Sequence, residues 1–205
     1  MIDAREALQR LRTGNRRFAA TVRESGRISK SVEIADLVAG QEPFAVVIGC
    51  SDSRVPVEIV FDQGPGDLFV VRVAGNIVAP TQIGSVEFAA SHFGTRLVVV
   101  LGHTYCGAVQ AALDDLREPD GDLSRNVGSI VDRIRPAVRG PLETESGPPL
   151  RRAVRANVRA SSAALRDGSD LLRQLILEDG LLVVGAVYAL DTGEVDFFDG
   201  VPDGG

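Results

Sequence analysis

The sequence predicts an α/β fold: a mostly parallel central β-sheet flanked by helices, with an N-terminal helical arm, a C-terminal helical subdomain and an edge hairpin. Three observations carry this. The apolar runs Phe44 to Ile48 and Leu97 to Leu101 have strand length and stop at Gly49-Cys50 and Gly102-His103. Segments of helical spacing separate the early β-rich runs, so those strands pair in parallel through crossovers. Two late β-rich runs flank Asp191-Thr192-Gly193, a turn signal that closes a hairpin.

Each element has its own signature. Asp3 to Ala20 carries apolar residues at Ala4, Leu8, Leu11 and Phe18, the spacing of a helix, with Gly14-Asn15 as a weak point inside it. Ser31 to Val38 resembles a short helix closed by Gly40, and residues 1–40 form the arm. Asp67 to Val73, rich in Val and Phe, is the second strand. Helices follow at Thr81 to Phe93 and Ala108 to Arg117, on either side of the strand Leu97 to Leu101. Helices at Asp122 to Val138, Leu150 to Arg166 and Ser169 to Glu178 come next, with a Pro/Gly-rich loop at Gly140 to Pro149. Gly180 stops the last helix, and Leu181 to Tyr188 and Glu194 to Phe198 form the hairpin. The tail Gly200 to Gly205, short and rich in Gly, Pro and Asp, is expected to be mobile.

At 205 residues, 44% hydrophobic and 24% charged, the chain can bury one sizeable core without disulfides, and it is expected to form a single domain. A net charge of −6 disfavours nucleic acid or an anionic membrane as partner, since both need clustered Lys and Arg. Arg151, Arg152, Arg155 and Arg159 recur at helical spacing, but nearby acidic residues dilute them, and they read as a solvated helix face. Two cysteines make no disulfide framework, and the first residues lack the apolar core of a secretory signal, so a cytoplasmic location is expected. No apolar stretch approaches the roughly 18 residues that cross a bilayer. Gly64, Gly66, Gly75 and Gly84 form no phosphate-binding pattern and read as turn residues.

The chemistry lies where the two early strands end. Cys50, His103 and Cys106 each sit where an apolar run gives way to small polar residues, and parallel strands can bring them to one sheet edge. Two thiolates and an imidazole suit zinc, and three protein ligands leave a fourth position open, as in catalytic sites. Asp52 and Arg54, two apart in an extended segment, leave on the same face as Cys50. Cys106 opens a helix whose free N–H groups favour its thiolate. A dithiol redox role for Cys50 and Cys106 is the less favoured alternative, because no C-x-x-C is present and His103 would have no part in it.

These motifs, C-x-D-x-R at 50–54 and H-x-x-C at 103–106, resemble those of the β-class carbonic anhydrases. The resemblance runs over residues 10–198: Gly14 to Phe18 is similar to that family's N-terminal helix, Gly66 to Arg72 to its second strand, and Gly185 to Tyr188 to its late strand. It implies an obligate homodimer, with the arm at the interface, or a dimer of dimers, with active sites between subunits. It also implies zinc-dependent reversible hydration of CO₂ to bicarbonate, with one Zn²⁺ per chain on Cys50, His103 and Cys106. Water on that zinc would be acidified and attack CO₂ as hydroxide. Two thiolates and a neutral imidazole sum with Zn²⁺ to zero formal charge, so acidification is weaker than at a three-histidine site and alkaline pH is favoured. Arg54 would hold Asp52, and Asp52 would orient the water. In a closed state, favoured at low pH, Asp52 itself would become the fourth ligand.

One kind within the family carries a Trp three residues before the first Cys and binds bicarbonate at a non-catalytic site. Here that position is Val47, and the chain has no Trp. The plant-like kind matches at Gln41 and Phe69, while Phe88 stands where that kind has a Tyr, so its hydroxyl is missing. Gln41, Phe69 and Phe88 are expected to reach the pocket from the partner subunit, with Val55 and Gly107 also lining it. His92, one helical turn beyond Phe88, is a candidate proton shuttle. A catalytically silent zinc protein, or one that hydrolyses CS₂ or COS, would keep the same ligands.

Overall fold

Asp3 starts the first helix by capping it. In the computed structural model, which describes residues 2–25, 40–118, 123–144 and 148–202, its carboxylate accepts the Glu6 N–H at 2.8 Å. This helix, α1 (Ala4–Ser25), buries Ala4, Ala7, Leu8, Leu11 and Phe18 as one stripe. Gly14-Asn15 does not weaken it. Gly14 touches the backbone of Phe61, the residue that ends α2 (Val57–Val60), a short helix that the sequence did not announce: a Cβ on Gly14 would lie 1.8 Å from the Phe61 carbonyl oxygen. Asn15, 5% exposed, donates to the carbonyls of Val60 and Gly193 and accepts the Val195 N–H at 2.9 Å. The pair fastens α1 to its neighbours because a residue without a side chain permits contact and an amide satisfies three backbone groups.

The sheet has five strands in the order β2-β1-β3-β4-β5, formed by β1 (Ala45–Gly49), β2 (Leu68–Arg72), β3 (Leu97–His103), β4 (Leu182–Tyr188) and β5 (Val195–Asp199). All neighbours are parallel except β4 and β5, the expected edge hairpin. β1 and β3 are buried along their whole length. Their side chains alternate between two apolar clusters: Ala45, Val47, Leu97, Val99 and Leu101 pack with α1 and α2, while Val46, Ile48, Val98 and Val100 pack on the other face. That second face is covered by α3 (Pro80–His92), α6 (Pro149–Asp167) and α7 (Asp170–Glu178). Ser169 caps α7, its hydroxyl accepting the Leu172 N–H at 3.1 Å.

A third cluster lies at the C-terminal ends of the strands, where α4 (Gly107–Arg117) and α5 (Arg125–Thr144) pack with α6 around Cys50 and Cys106. The predicted loop over 140–149 is shorter than the sequence implies, because α5 runs on to Thr144, anchored by its buried stripe Val131, Ile134 and Val138. The arginine face of α6 is also not wholly solvated. Arg155 pairs with Asp196 and lies 3.7 Å over the Phe198 ring, with Arg159 5.2 Å from that ring, so this face pins the edge strand. The helix expected over Ser31 to Val38 lies outside the described residues. Val201 packs half-buried against the core; residues 203–205 also lie outside. Among the described residues, no helix is long and apolar enough to cross a membrane.

The Gly14 contact is testable. Gly14→Ala forces a methyl into a backbone carbonyl and is expected to cost about 2 kcal/mol in urea denaturation. Gly128→Ala in α5, where a Cβ meets nothing within 4 Å, is expected to gain about 0.5 to 1 kcal/mol from helix propensity. Equal effects at the two positions would refute the packing role.

Candidate metal centre

Cys50 and His103 meet because β1 and β3 are adjacent, parallel and in register, with Gly49 opposite Leu101. Cys50 follows β1 directly, and β3 continues two residues past Leu101, so His103 closes the strand. The chain then reverses through Tyr105, held at φ 59°, and Cys106 becomes the N-cap residue of α4. All three side chains are buried, and their candidate ligand atoms lie within 4.8 Å of one another. Tetrahedral zinc bonds of about 2.0 to 2.3 Å separate ligand atoms by roughly 3.3 to 3.8 Å, so the set needs only small side-chain adjustments to hold the ion.

His103 supplies the decisive detail. Its Nδ1 lies 2.9 Å from the Thr104 carbonyl, which fixes the proton on that nitrogen. Its Nε2 is buried with no hydrogen-bond partner and carries the free lone pair. A fully buried imidazole nitrogen without a protein partner, facing two thiols, fits a metal ligand.

The sulfurs are prepared for negative charge. Cys50 Sγ accepts the N–H groups of Asp52 at 3.4 Å and Gly75 at 3.3 Å. The two thiols shift in opposite directions. The hydrogen bond from Cys106 holds the Cys50 thiol well below its ordinary range against burial, with the Asp52 and Gly75 N–H groups adding to it. Cys106 is pushed up by the same shared hydrogen bond, by burial and by the Cys50 charge, while N–H groups at the start of α4 oppose the shift. A divalent cation held by both sulfurs would stabilise both as thiolates.

Asp52 and Arg54 form the expected bidentate pair, at 2.9 and 2.7 Å, and the Arg54 N–H adds a third bond to Asp52 at 3.0 Å. Arg54 also donates to the Tyr105 carbonyl at 3.3 Å, tying the first loop to the second. Asp52 Oδ2 lies 3.9 Å from His103 Nε2, so the carboxylate borders the centre. The Arg54 guanidinium holds the Asp52 carboxyl well below the usual carboxylate range, with its backbone N–H reinforcing the effect and burial opposing it.

Sequence reasoning missed two supports. Arg72, at the end of β2, donates to the carbonyls of Cys50 at 3.0 Å and Asp52 at 2.7 Å, clamping that loop. Gly75 sits in a 3₁₀ turn at Ala74–Asn76 with φ 71°, where only a residue without Cβ aims its N–H at Cys50 freely. The signal for Arg72 was a cation closing a strand beside the motif loop; the signal for Gly75 was a lone glycine after that strand.

The pocket residues divide. Gly107 stands exposed beside Cys106, and a Cβ there would meet nothing within 4 Å. Val55, expected to line the pocket, is instead fully enclosed in the apolar cluster beneath α1 and contributes packing. Gln41, Phe69, Phe88 and His92 gather elsewhere in the chain. Phe69 pairs with Val46 near the start of β1, whereas Cys50 follows its end. Phe69 packs on Phe88 at 6.2 Å, and the His92 ring stacks on Phe88 at 5.1 Å. Gln41, Phe88 and His92 line one depression of about 580 Å³ that includes no metal ligand, and Phe88 is 52% exposed. A larger cavity of about 780 Å³ reaches Thr104 and Tyr105 but none of the three ligands.

The sequence profile of the carbonic anhydrase family matches residues 45–195. Carbonic anhydrase 2 of Mycobacterium tuberculosis is 41% identical over 192 residues, covering 91% of this chain and 89% of its own. The Mycolicibacterium smegmatis carbonic anhydrase is 39% identical over 193 residues, covering 93% and 91%. Among solved structures, a tetrameric β-carbonic anhydrase of Sordaria macrospora superposes with a TM-score of 0.72 at 27% identity, over 91% of this chain and 93% of that one. One from Aspergillus fumigatus gives 0.71 at 29% identity, over 93% and 89%. The chain belongs to the β-class carbonic anhydrases. For a β-class carbonic anhydrase the convergence of Cys50, His103 and Cys106 gains its context: the family match spans both motif loops and every strand of the parallel core.

Two measurements follow. Elemental analysis is expected to give about one zinc per chain, falling below a tenth of that in Cys50→Ser and His103→Ala. Because the folded carboxyl of Asp52 is depressed, its contribution to stability is present above the ordinary value of about 3.9 and lost as pH falls through the lower folded value. Urea denaturation of the zinc-free protein, in which Asp52 has no metal to bind, is therefore expected to show a constant difference between parent and Asp52→Asn from about pH 7 to 5, closing below about pH 4. A difference that closes above pH 5 would contradict the pairing.

Proposed function

We propose that the chain catalyses the reversible hydration of CO₂ to bicarbonate and a proton, with one zinc ion held by Cys50, His103 and Cys106. The observation that carries this is the orphaned His103 Nε2 buried among two thiols beside a paired Asp52 and Arg54. When bound, zinc supplies the Lewis acidity that makes water a nucleophile near neutral pH. The water pKa of about 7 known for zinc on three histidines belongs to a different ligand set, and the two thiolates here favour a more alkaline working range.

The protein groups then have distinct duties. His103 and the thiolates set the ligand field; Arg54 keeps Asp52 ionised and points one oxygen toward the centre; Asp52 accepts a hydrogen bond from water and orients it. If Asp52 leaves Arg54, its carboxylate can close the centre as a fourth ligand, a state favoured at low pH. A structure below about pH 7 in which Asp52 keeps both bonds to Arg54 would count against that closure.

The active form is a homodimer, or a dimer of dimers, in which Gln41, Phe69 and Phe88 of one copy complete the pocket of the other. Support comes from their distance from their own chain's metal ligands and from the exposed Phe88 ring. Phe88 supplies an apolar wall where the plant-like relatives have a hydroxyl, and His92, stacked on it, is the candidate proton shuttle. The arm over residues 1–40 is assigned to the same interface.

Stopped-flow CO₂ hydration with the zinc-loaded protein tests the reading. Activity is expected to rise through the alkaline range, and Asp52→Asn is expected to lower kcat by about 100-fold. A fully zinc-loaded protein without CO₂ hydration would favour a silent or CS₂/COS-directed site, and activity unchanged down to about pH 6 would contradict the charge argument. Light scattering is expected to give at least twice the chain mass of 21.7 kDa.

A further inference from the structure

Helix α6 approaches the sheet more closely than side chains ordinarily allow. A Cβ on Gly102 of β3 would lie 2.6 Å from Val158 Cγ2, and one on Gly185 of β4 would lie 2.8 Å from Val158 Cγ1. These two glycines let the middle of α6 settle directly onto the strands. Asn157, the residue before Val158, is thereby carried to the end of the sheet, 2% exposed, where its Nδ2 donates to the Gly75 carbonyl at 2.7 Å. Gly75 in turn donates its N–H to Cys50 Sγ at 3.3 Å.

We infer that Asn157 is a positioning residue of the metal centre: its amide holds the Gly75 carbonyl so that the Gly75 N–H stays on the Cys50 sulfur. The turn at Ala74–Asn76 is anchored at its entry, where the Val73 N–H donates to the Gly49 carbonyl at 3.1 Å and the Val73 carbonyl accepts the Ser51 N–H at 3.3 Å, while the Gly75 carbonyl beyond that anchor is held by Asn157. The Asn76 N–H closes it onto the Val73 carbonyl at 3.1 Å, and Ile134 and Ala108 crowd Gly75 from the side where a Cβ would project. With φ 71° and ψ 18°, Gly75 is free to leave this conformation, because glycine populates both signs of φ. A short bond from a buried, rigidly seated amide removes that freedom. Outer groups that orient a metal ligand in this way typically change metal affinity by about 10- to 100-fold when lost.

The consequence is specific to one of the two sulfurs. An N–H directed at a thiolate lowers the energy of the sulfur lone pair and reduces its donation to a metal. Removing Asn157 frees Gly75 to swing away, so the Cys50 sulfur becomes the stronger electron donor while its loop loses a fixed point. Cobalt(II) in place of zinc reads the first effect as a shift of the sulfur-to-cobalt charge-transfer absorption to longer wavelength. Competition with a chromophoric chelator reads the second as faster zinc release.

This inference rests on the metal reading above, and the test separates the two. Asn157→Leu removes the donor and keeps the volume; Asn157→Asp keeps the shape and replaces the donor with an acceptor. Both are expected to shift the cobalt band to longer wavelength and to release zinc about tenfold faster than the parent. Ser161→Ala, buried on the same helix one turn on, is expected to leave band and release unchanged. In the parent loaded with NMR-active cadmium, the Gly75 N–H is expected to show scalar coupling to the metal through Cys50 Sγ, a measurement that needs no variant. An unmoved band in a folded Asn157 variant, an equal shift in Ser161→Ala, or no Gly75 coupling would each overturn the inference alone. A parent that takes up neither zinc nor cobalt would overturn the metal reading and this inference with it.

Discussion

The parallel register of β1 and β3 is the constraint on which the rest of this molecule depends. Both strands are enclosed on both faces, so their interiors admit only apolar side chains and their polar neighbours are confined to the ends. Parallel pairing puts both C-terminal ends at one edge, and the match of Gly49 with Leu101 puts Cys50 and His103 beside each other. A slip by one residue would turn every side chain of one strand to the wrong face and remove one ligand from reach of the other. The core thus places the candidate metal ligands: the same burial that fixes the register fixes where Cys50 and His103 emerge.

What the register leaves undone, buried hydrogen bonds complete. Two thiols and an imidazole taken from water are costly to hold in one charge state, and each receives compensation from backbone groups. Cys50 takes two N–H groups, His103 gives its Nδ1 proton to Thr104, and Cys106 sits at the mouth of α4. Arg54 and Arg72 then lock the loops by reaching backbone carbonyls that the strands no longer pair. Charged guanidinium donors suit this task because they keep their charge at every relevant pH and present several N–H groups in a fixed plane.

Run length and periodicity located nearly every described element, since β1 and β3 are continuous apolar runs of strand length and apolar side chains recur at helical spacing along α1 and α6. It misjudged residues whose role is set by what lies across the contact. Gly14-Asn15 reads as a flaw in an isolated helix and proves to be the docking point of α1, because only the partner backbone shows why a missing side chain and a buried amide are needed there. The prolines of α5 suggest an earlier end to the helix than its buried stripe allows. The arginines of α6 look solvated until Phe198 and Asp196 are seen beneath them. Val55 sits next to the motif and turns inward to the core.

By itself the sequence carried the fold class, the three candidate ligands and the Asp52–Arg54 pair, because these are local properties: strand length, residue chemistry, and a two-residue spacing that keeps side chains on one face. The tertiary structure alone decided which nitrogen of His103 is free, which loop Arg72 clamps, and that Gln41, Phe69 and Phe88 lie away from their own chain's ligands. The free nitrogen follows from how the backbone turns at the neighbouring Thr104, and the others from contacts between residues some twenty or more positions apart; distance along a chain carries no record of direction in space.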